Sequence, residues 1–156
     1  RSFWGEDGPG CLIAPNFSIG AVLMMRFAEL AAPHFTGVEV VERHHHDKPD
    51  APSGTAIATA ARIAAAGGLS HEESSELVAG SRGAKVEGVR VHSLRLEATL
   101  SNQEVAFSKS GELLSIHHVG TEYTSFVDGA LLAIRYIAAT KGVTVGLDAA
   151  IEAAAR

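Results

Sequence analysis

The sequence predicts an α+β fold in which a mostly antiparallel, mixed sheet is flanked by helices. Three strand-like runs follow one another, at about 88–100, 103–109 and 112–119, and short polar turns separate them. Segments with the apolar spacing of helices lie on both sides of these runs. Strands grouped in this way, with helices before and after them, are typical of α+β proteins rather than of chains that alternate strand and helix.

The first part of the chain predicts two strands and two helices. Residues 11–15 read as the end of a buried strand, and residues 38–42 as a short strand with β-branched side chains. An alanine-rich helix is expected from about Thr55 to Ala66, because glycines follow it. Before Pro33, another helix is predicted by apolar residues at helical spacing: Ile19, Val22, Leu23, Phe27 and Leu30.

The second part predicts a sheet followed by helices. Residues 69–86 are polar without a clear period and are expected to form a loop with at most a turn of helix. The three strand-like runs are interpreted as an antiparallel meander. A long helix is expected over 124–139, with one apolar stripe made by Phe126, Ala130, Ile134 and Ile137. Residues 142–156 predict a short strand or turn and then an alanine-rich helix.

Composition narrows the possible functions. The chain has 156 residues, of which 46% are hydrophobic, so it suits one globular domain with a real core. A net charge of −5 without a basic patch argues against nucleic-acid binding. No apolar run approaches the ~20 residues that span a bilayer, so no membrane association is expected. One cysteine, Cys11, allows no internal disulfide, which fits the reducing cytoplasm.

The stretch with the most chemistry is residues 39–56, EVVERHHHDKPDAPSGTA. Ser53, Gly54 and Thr55 stand where the alanine-rich helix is expected to begin. The first turn of a helix offers backbone N–H groups and the positive end of the macrodipole, and a glycine lets an anion approach them. The residues therefore favour a carboxylate or phosphate site. The alternative is an ordinary helix cap, where Ser and Thr are preferred for structural reasons.

Titratable side chains precede this turn at His44, His45 and Lys48. Positive donors near an anion site suit a dianionic ligand, and a histidine beside a lysine suits proton transfer near neutral pH. The alternative is a solvated polar loop without a chemical role. No metal site is predicted, because consecutive histidines on an extended segment cannot all face one ion at the usual ligand spacing.

Two further features limit the reading. Arg95, in a predicted strand, is expected to be a surface or interface charge rather than a catalytic residue. No G-x-G-x-x-G turn occurs in the sequence, although a dinucleotide-binding (Rossmann) domain needs such a turn between a strand and a helix. The chain is therefore expected to lack a domain of that kind.

Residues 39–56 closely resemble the signature stretch of the 4-hydroxy-tetrahydrodipicolinate reductase family, also called dihydrodipicolinate reductase. A second similarity lies at residues 14–20, APNFSIG, which resembles the family's link between its nucleotide-binding and substrate domains. The similarity in order and character extends from Leu12 onward. It implies the fold of the family's C-terminal substrate-binding and oligomerisation domain. Residues 1–13 would then be a lead-in from a missing nucleotide-binding domain, and residues 14–156 the substrate domain.

The resemblance also implies a function and roles for individual residues. The family reduces 4-hydroxy-tetrahydrodipicolinate, a cyclic dicarboxylate, with NADPH or NADH in the diaminopimelate route to lysine. His44 matches the general acid/base, Lys48 the proton donor and His45 a substrate contact. A substrate carboxylate is held by the positions that match Gly54 and Thr55, with Ser53 beside them. The nicotinamide end of the cofactor is contacted by the positions that match Ala14, Pro15, Asn16 and Phe17.

The cofactor would be bound mainly by the domain missing from this chain, and the oligomer would be a homotetramer, as the resemblance implies. Two other functions stay open at this point. One is a non-catalytic substrate-binding or assembly module that has kept the fold. The other is a metal-dependent hydrolase that uses the histidine run.

Overall fold

The computed structural model describes residues 5–67 and 74–155. Parts of two predicted segments, residues 1–4 of the lead-in and 69–73 of the loop, lie outside the described residues. The helices are α1 (Ile19–Ala31), α2 (Gly54–Ala66), α3 (Val127–Ala139) and α4 (Asp148–Ala154). The strands are β1 (Cys11–Ile13), β2 (Gly37–His45), β3 (Ala84–Val86), β4 (Val89–Leu96), β5 (Ser101–Lys109), β6 (Glu112–Gly120) and β7 (Val143–Val145).

The chain divides into two compact units, of which the first extends to Val22 and resumes at Glu122. In this unit β1 pairs with β7 in a two-stranded parallel sheet, from Cys11 opposite Val143 to Ile13 opposite Val145. The predicted strand and helix of residues 142–156 are confirmed as β7 and α4. The expectation of a buried strand at residues 11–15 is wrong for Ile13, whose side chain is 59% exposed, because a two-stranded sheet leaves it uncovered.

In two helices the buried face differs in part from the one that the apolar spacing predicted. In α1 the buried residues are Ala21, Val22, Met24, Met25 and Ala28, whereas Phe27 and Leu30 are exposed. In α3 the buried residues are Gly129 and Ala133, and Ile134 of the predicted stripe is exposed. Small residues allow close packing, as at position 129, where a Cβ atom would collide with the backbone carbonyl of Phe17.

The second unit, Leu23–Thr121, contains a five-stranded mixed sheet with the order β3-β4-β2-β5-β6. Strand β2 pairs in parallel with β4 and antiparallel with β5. The pairs β3–β4 and β5–β6 are antiparallel. The predicted mixed, mostly antiparallel sheet is therefore confirmed, and β3 is a strand where residues 69–86 were expected to form a loop.

The predicted meander is wrong in one connection, because β2 lies between β4 and β5. The segment β2–α2–β4 is a parallel crossover, and parallel neighbours need a long connection such as a helix. Only β5 and β6 form the expected hairpin, from Ser101 opposite Gly120 to Lys109 opposite Glu112. The central place of β2 satisfies its backbone groups on both edges.

One face of this sheet forms the core. Side chains alternate between the two faces along a strand, and the buried ones lie opposite each other across three strands. They are Val38, Val40 and Glu42 of β2, Val89 and Val91 of β4, and Gln103, Val105 and Phe107 of β5. Helix α2 contributes buried Ala56, Thr59, Ala60 and Ile63. Within the described residues, no helix is long and apolar enough to cross a membrane.

Candidate functional site

The candidate site begins at the end of β2, which is longer than predicted and includes His44 and His45. Glu42 occupies a core-facing position of this strand and is completely buried. His44, two residues further on, lies on the same face and contacts a carboxylate oxygen of Glu42 through Nδ1. An ionised carboxylate can only accept a hydrogen bond, so Nδ1 must carry the proton and Nε2 is the nitrogen left for chemistry.

Arg95 of β4 lies opposite His44 in the parallel ladder and pairs with Glu42. Its Nη1 is 3.1 Å from both carboxylate oxygens, and its Nη2 is 3.1 Å from Oε1. The expectation of a surface or interface charge is therefore wrong for Arg95. The buried carboxylate draws the guanidinium inward, and only 19% of the arginine side chain is exposed.

The loop after β2 carries Lys48 and is held by its own acidic residues. Nζ of Lys48 donates to Oδ1 of Asp50 at 2.5 Å, and the backbone N–H of Lys48 donates to the carbonyl of His45 at 3.2 Å. Nη2 of Arg95 donates to the backbone carbonyl of Asp50 at 2.5 Å. The lysine loop is thus connected through Arg95 to Glu42, the same carboxylate that contacts His44.

His45 has different surroundings from His44. Neighbours on a strand point to opposite faces, and Nδ1 of His45 contacts Asp47 rather than Glu42. The structure therefore brings His44 and the Lys48 loop together around Glu42, and it places His45 on the other side of the strand.

Helix α2 begins at Gly54, as the turn chemistry predicted. Ser53 is the N-cap, since its Oγ accepts from the backbone N–H of Ala56 at 3.2 Å, and its own N–H donates to Oε1 of Glu42 at 3.3 Å. The side chain of Ser53 therefore serves the helix. Gly54 is exposed, and a Cβ atom placed there would meet nothing within 4 Å. A side chain added at position 54 would enter open space, which leaves room for an anion beside the first turn.

A hydrogen-bonded chain fixes this helix start to the sheet. Nε2 of the buried Gln103 on β5 donates to Oγ1 of Thr59 at 2.7 Å, and Thr59 donates to the carbonyl of Thr55 at 2.8 Å. The first turn of α2 is consequently tied to β5 by side chains as well as to β2 by the Ser53–Glu42 contact.

The charges of the site are set by these contacts. Burial would raise the pKa of Glu42, but hydrogen bonds from His44, Arg95 and Ser93 outweigh it and lower the pKa from 4.5 to about 2. The hydrogen bond from His45 lowers the pKa of Asp47, and the hydrogen bond from Lys48 lowers that of Asp50. All three carboxylates are ionised at neutral pH.

Comparison with known proteins shows which family the chain resembles. The family described as "Dihydrodipicolinate reductase, C-terminus" matches residues 20–151, which include both β2 and α2. The chain belongs to the dihydrodipicolinate reductase family. The expected resemblance is confirmed over most of the described structure.

Two curated relatives from the dihydrodipicolinate reductase family are about half identical to the chain. Both are named 4-hydroxy-tetrahydrodipicolinate reductase. The protein of Nocardia farcinica is 54% identical over 144 residues, which are 89% of this chain and 58% of that protein. The protein of Streptomyces griseus is 51% identical over 152 residues, which are 93% of this chain and 61% of that protein. The chain spans about three fifths of the length of these relatives.

A solved structure shows the same fold. It is a dipicolinate-bound dihydrodipicolinate reductase from Paenisporosarcina sp. TG-14, which matches with a TM-score of 0.78 and 42% sequence identity. The match covers 89% of this chain and 54% of that one. The α+β architecture predicted from the sequence is thereby confirmed.

The segment expected to contact the cofactor in a dihydrodipicolinate reductase, Ala14 to Phe17, lies between β1 and α1 in the first unit. Oδ1 of Asn16 accepts from the backbone N–H of Ser18 at 2.8 Å, and Oγ of Ser18 accepts from the N–H of Ala21 at 3.3 Å. These contacts shape the entry to α1. The cofactor role of the segment stays a prediction.

Sequence reasoning missed Glu42 and misjudged Arg95. A signal for Glu42 was present, because a glutamate stands at an alternating core position of VEVVERHH, where a third apolar residue would be usual. Arg95 carries no such signal, since its partner comes from a strand 53 positions earlier in the chain. In the described parts of the chain, no three His, Cys, Asp or Glu side chains are grouped to hold a metal ion.

Proposed function

We propose that this chain supplies the substrate-binding and proton-donating part of a 4-hydroxy-tetrahydrodipicolinate reductase, in the diaminopimelate route to lysine. The observation that carries the proposal is the convergence of three features on Glu42. These are His44, the loop that holds Lys48, and the open start of α2 at Ser53 and Gly54. The names of the relatives and the dipicolinate bound to the Paenisporosarcina protein support the same substrate class.

The geometry suits a cyclic dicarboxylate. One carboxylate would approach the first turn of α2 at Gly54 and Thr55, where the helix dipole and the backbone N–H groups favour negative charge. His44 and Lys48 lie on neighbouring elements, and both can carry a proton to a reacting carbon. His45 would contact the substrate only after a change in its contact with Asp47.

The reduction also needs a hydride donor, which NADPH or NADH would supply when bound. The sequence contains no glycine-rich turn for a pyrophosphate. None of the chain's residues is therefore proposed to hold the cofactor's pyrophosphate in such a turn. In this proposal the cofactor is held mainly by a domain outside this chain, and Ala14, Pro15, Asn16 and Phe17 contact its nicotinamide end.

Assembly is part of the proposal. The face of the sheet opposite α2 carries exposed apolar side chains, among them Leu96, Leu113 and Val119. Apolar side chains exposed on the face of a sheet can be covered by a second copy of the chain. A homotetramer built on this face, in the cytoplasm, is the arrangement we propose.

The alternative function is a non-catalytic substrate-binding or assembly module. The open first turn of α2 would be kept in such a module, so binding alone does not separate it from the reductase. Turnover separates the two functions.

The test measures both binding and turnover. This chain is titrated calorimetrically with pyridine-2,6-dicarboxylate, and the full-length protein is assayed for oxidation of NADPH or NADH that depends on 4-hydroxy-tetrahydrodipicolinate. Binding together with turnover is the expected result. Binding without turnover in the full-length protein would favour the non-catalytic module, and turnover without dicarboxylate binding here would reject the assignment of the binding site to this chain.

A further inference from the structure

Glu42 is an unusual residue for its position. It is fully buried on the core face of a central strand, where Val38 and Val40 precede it. A buried ion pair is weak evidence for stability, because the cost of removing two charges from water can exceed their attraction. An apolar residue would fill the position at lower cost. The pair with Arg95 therefore calls for a role other than packing.

The contacts of Glu42 show what that role would be. Its carboxylate touches Nδ1 of His44, accepts from the backbone N–H of Ser53 at 3.3 Å, and pairs with Arg95 at 3.1 Å. Arg95 in turn holds the carbonyl of Asp50 at 2.5 Å, and the side chain of Asp50 holds Lys48. One carboxylate thus connects both proposed proton-transfer residues and the start of the anion site.

We propose that Glu42 and Arg95 are positioning residues: Glu42 holds His44 in the tautomer that carries its proton on Nδ1, and Arg95 holds the loop that presents Lys48. A carboxylate accepts but does not donate, so the neutral ring must keep its proton on the side of Glu42. Nε2 is then the ring nitrogen left to take up a proton and pass it to the substrate. This inference rests on the proposed function for its turnover readout, but its tautomer readout does not depend on turnover.

The substitution Glu42→Gln tests the role of the carboxylate. An amide offers both a donor and an acceptor, so the tautomer of His44 is no longer imposed. We expect histidine ¹⁵N chemical shifts at about pH 8, where an ordinary imidazole is neutral, to show the Nδ1–H tautomer in the unmodified chain and its loss in the variant. In the full-length protein, kcat should fall roughly 10- to 100-fold, the scale known for partners that orient metal-bound histidines.

A merely structural role would not produce this pattern. The affinity of Glu42→Gln for pyridine-2,6-dicarboxylate should change by less than about 3-fold, because Gly54 is untouched. A 10-fold change would correspond to about 1.4 kcal/mol. The double variant Glu42→Gln/Arg95→Gln removes both charges, so it leaves no buried arginine unpaired. It provides the same test if Glu42→Gln alone does not fold. The double variant should show the same loss of the Nδ1–H tautomer of His44 and the same fall in kcat.

Glu39→Gln is the matched control. Glu39 stands on the same strand and also contacts a histidine and an arginine, with 2.7 Å between its Oε2 and Nε2 of His92 and a contact to Arg82. It faces the other side of the sheet, so kcat and the His44 signal should not change.

Three results would overturn the inference: the Nε2–H tautomer in the unmodified chain, an unchanged tautomer in Glu42→Gln, or an altered tautomer with full turnover. If the unmodified full-length protein showed no turnover, the proposed function would fail. The tautomer measurement would still decide whether Glu42 holds His44.

Discussion

His44 and His45 are neighbours in the chain with separate surroundings. Strand β2 includes both, so alternation turns His44 toward Glu42 and the core and turns His45 toward Asp47. Because consecutive residues of a strand point to opposite faces, the side chains of His44 and His45 do not meet at one point. The carboxylate of Glu42 occupies Nδ1 of His44 and leaves Nε2 for the proposed proton transfer.

The first prediction concerns the proton-transfer residues. In the full-length protein, His44→Ala and Lys48→Ala should each lower turnover by roughly 100-fold or more, the usual scale of general acid–base catalysis. The measurement is kcat for oxidation of the reduced nicotinamide cofactor. His46→Ala is the control, because this exposed histidine follows the strand and should leave kcat near normal. Near-normal turnover of both test variants would reject the assignment.

The second prediction concerns acid stability. The pKa of Glu42 is lowered in the folded protein, from 4.5 to about 2. Its stabilising contribution is therefore fully present above about pH 4.5 and is lost as the pH falls toward 2, because the unfolded chain takes up the proton first. The difference in unfolding free energy between the unmodified chain and Glu42→Gln should narrow by roughly 2 kcal/mol between about pH 6 and pH 3, since one pKa unit corresponds to about 1.4 kcal/mol.

Urea unfolding at the two pH values measures this difference. Comparing the two proteins at each pH removes the contribution of the other carboxylates, which both share. A difference that stays constant with pH would show that Glu42 does not titrate with a lowered pKa.

At the scale of elements, the start of α2 combines a structural cap with an open approach. Ser53 satisfies the N–H of Ala56, and the backbone carbonyl of Ser53 accepts from Ile57 at 3.0 Å. Gly54 precedes the residues that donate these two N–H groups, and a Cβ atom added to it would lie in open space. The two readings of the Ser-Gly-Thr turn, helix cap and anion site, are therefore compatible, because different atoms would serve each.

The third prediction tests this turn. Gly54→Val should weaken binding of pyridine-2,6-dicarboxylate by roughly 10-fold or more, because the new side chain occupies the approach to the N–H groups. The fold should survive, since a Cβ atom at position 54 meets nothing within 4 Å. Ala61→Val places the same side chain at an exposed position two turns further along α2, away from the Ser-Gly-Thr turn, and should bind normally. Calorimetric titration measures all three chains, and equal affinities would exclude the turn as the carboxylate site.

At the scale of the whole molecule, the five-stranded sheet has two different faces. One is packed against α2, and the other carries Leu113 and Val119 beside charged groups. On this outer face Glu104 pairs with Arg43 at 3.4 Å and with His117 at 3.2 Å. Interfaces combine an apolar core with a polar rim, so both kinds of side chain on this face can be accommodated in the proposed assembly.

The fourth prediction tests assembly. The unmodified chain should sediment with the mass of several copies rather than the 16.3 kDa of one. Leu113→Glu and Val119→Glu should each shift the mass toward the single chain, because they bury an unpaired charge in the contact. Leu77→Glu, at a residue that is 99% exposed and outside the sheet, should leave the mass unchanged. A single-chain mass for the unmodified protein would reject this surface as an interface of the isolated chain.

Local sequence patterns predicted much of the fold. Alternation predicted β5 and β6, and alanine content and the Ser-Gly-Thr turn predicted α2. The anion site at the same turn stays a prediction. The stripes of α1 and α3 were misjudged, because helical spacing does not tell which of two apolar faces is covered. Phe27 and Leu30 satisfy the spacing and are nevertheless exposed.

The sequence by itself determined most of the helices and strands, the mixed α+β class and the stretch in which the proposed chemistry lies, because these depend on residues close together in the chain. Only the tertiary structure decided that β2 stands between β4 and β5 and that Arg95 reaches Glu42 from 53 positions away. The physical reason is the parallel crossover through α2. The crossover brings β4 beside β2, so that Arg95 of β4 reaches the buried carboxylate of Glu42. Glu42 contacts His44 directly and is connected to the Lys48 loop through Arg95.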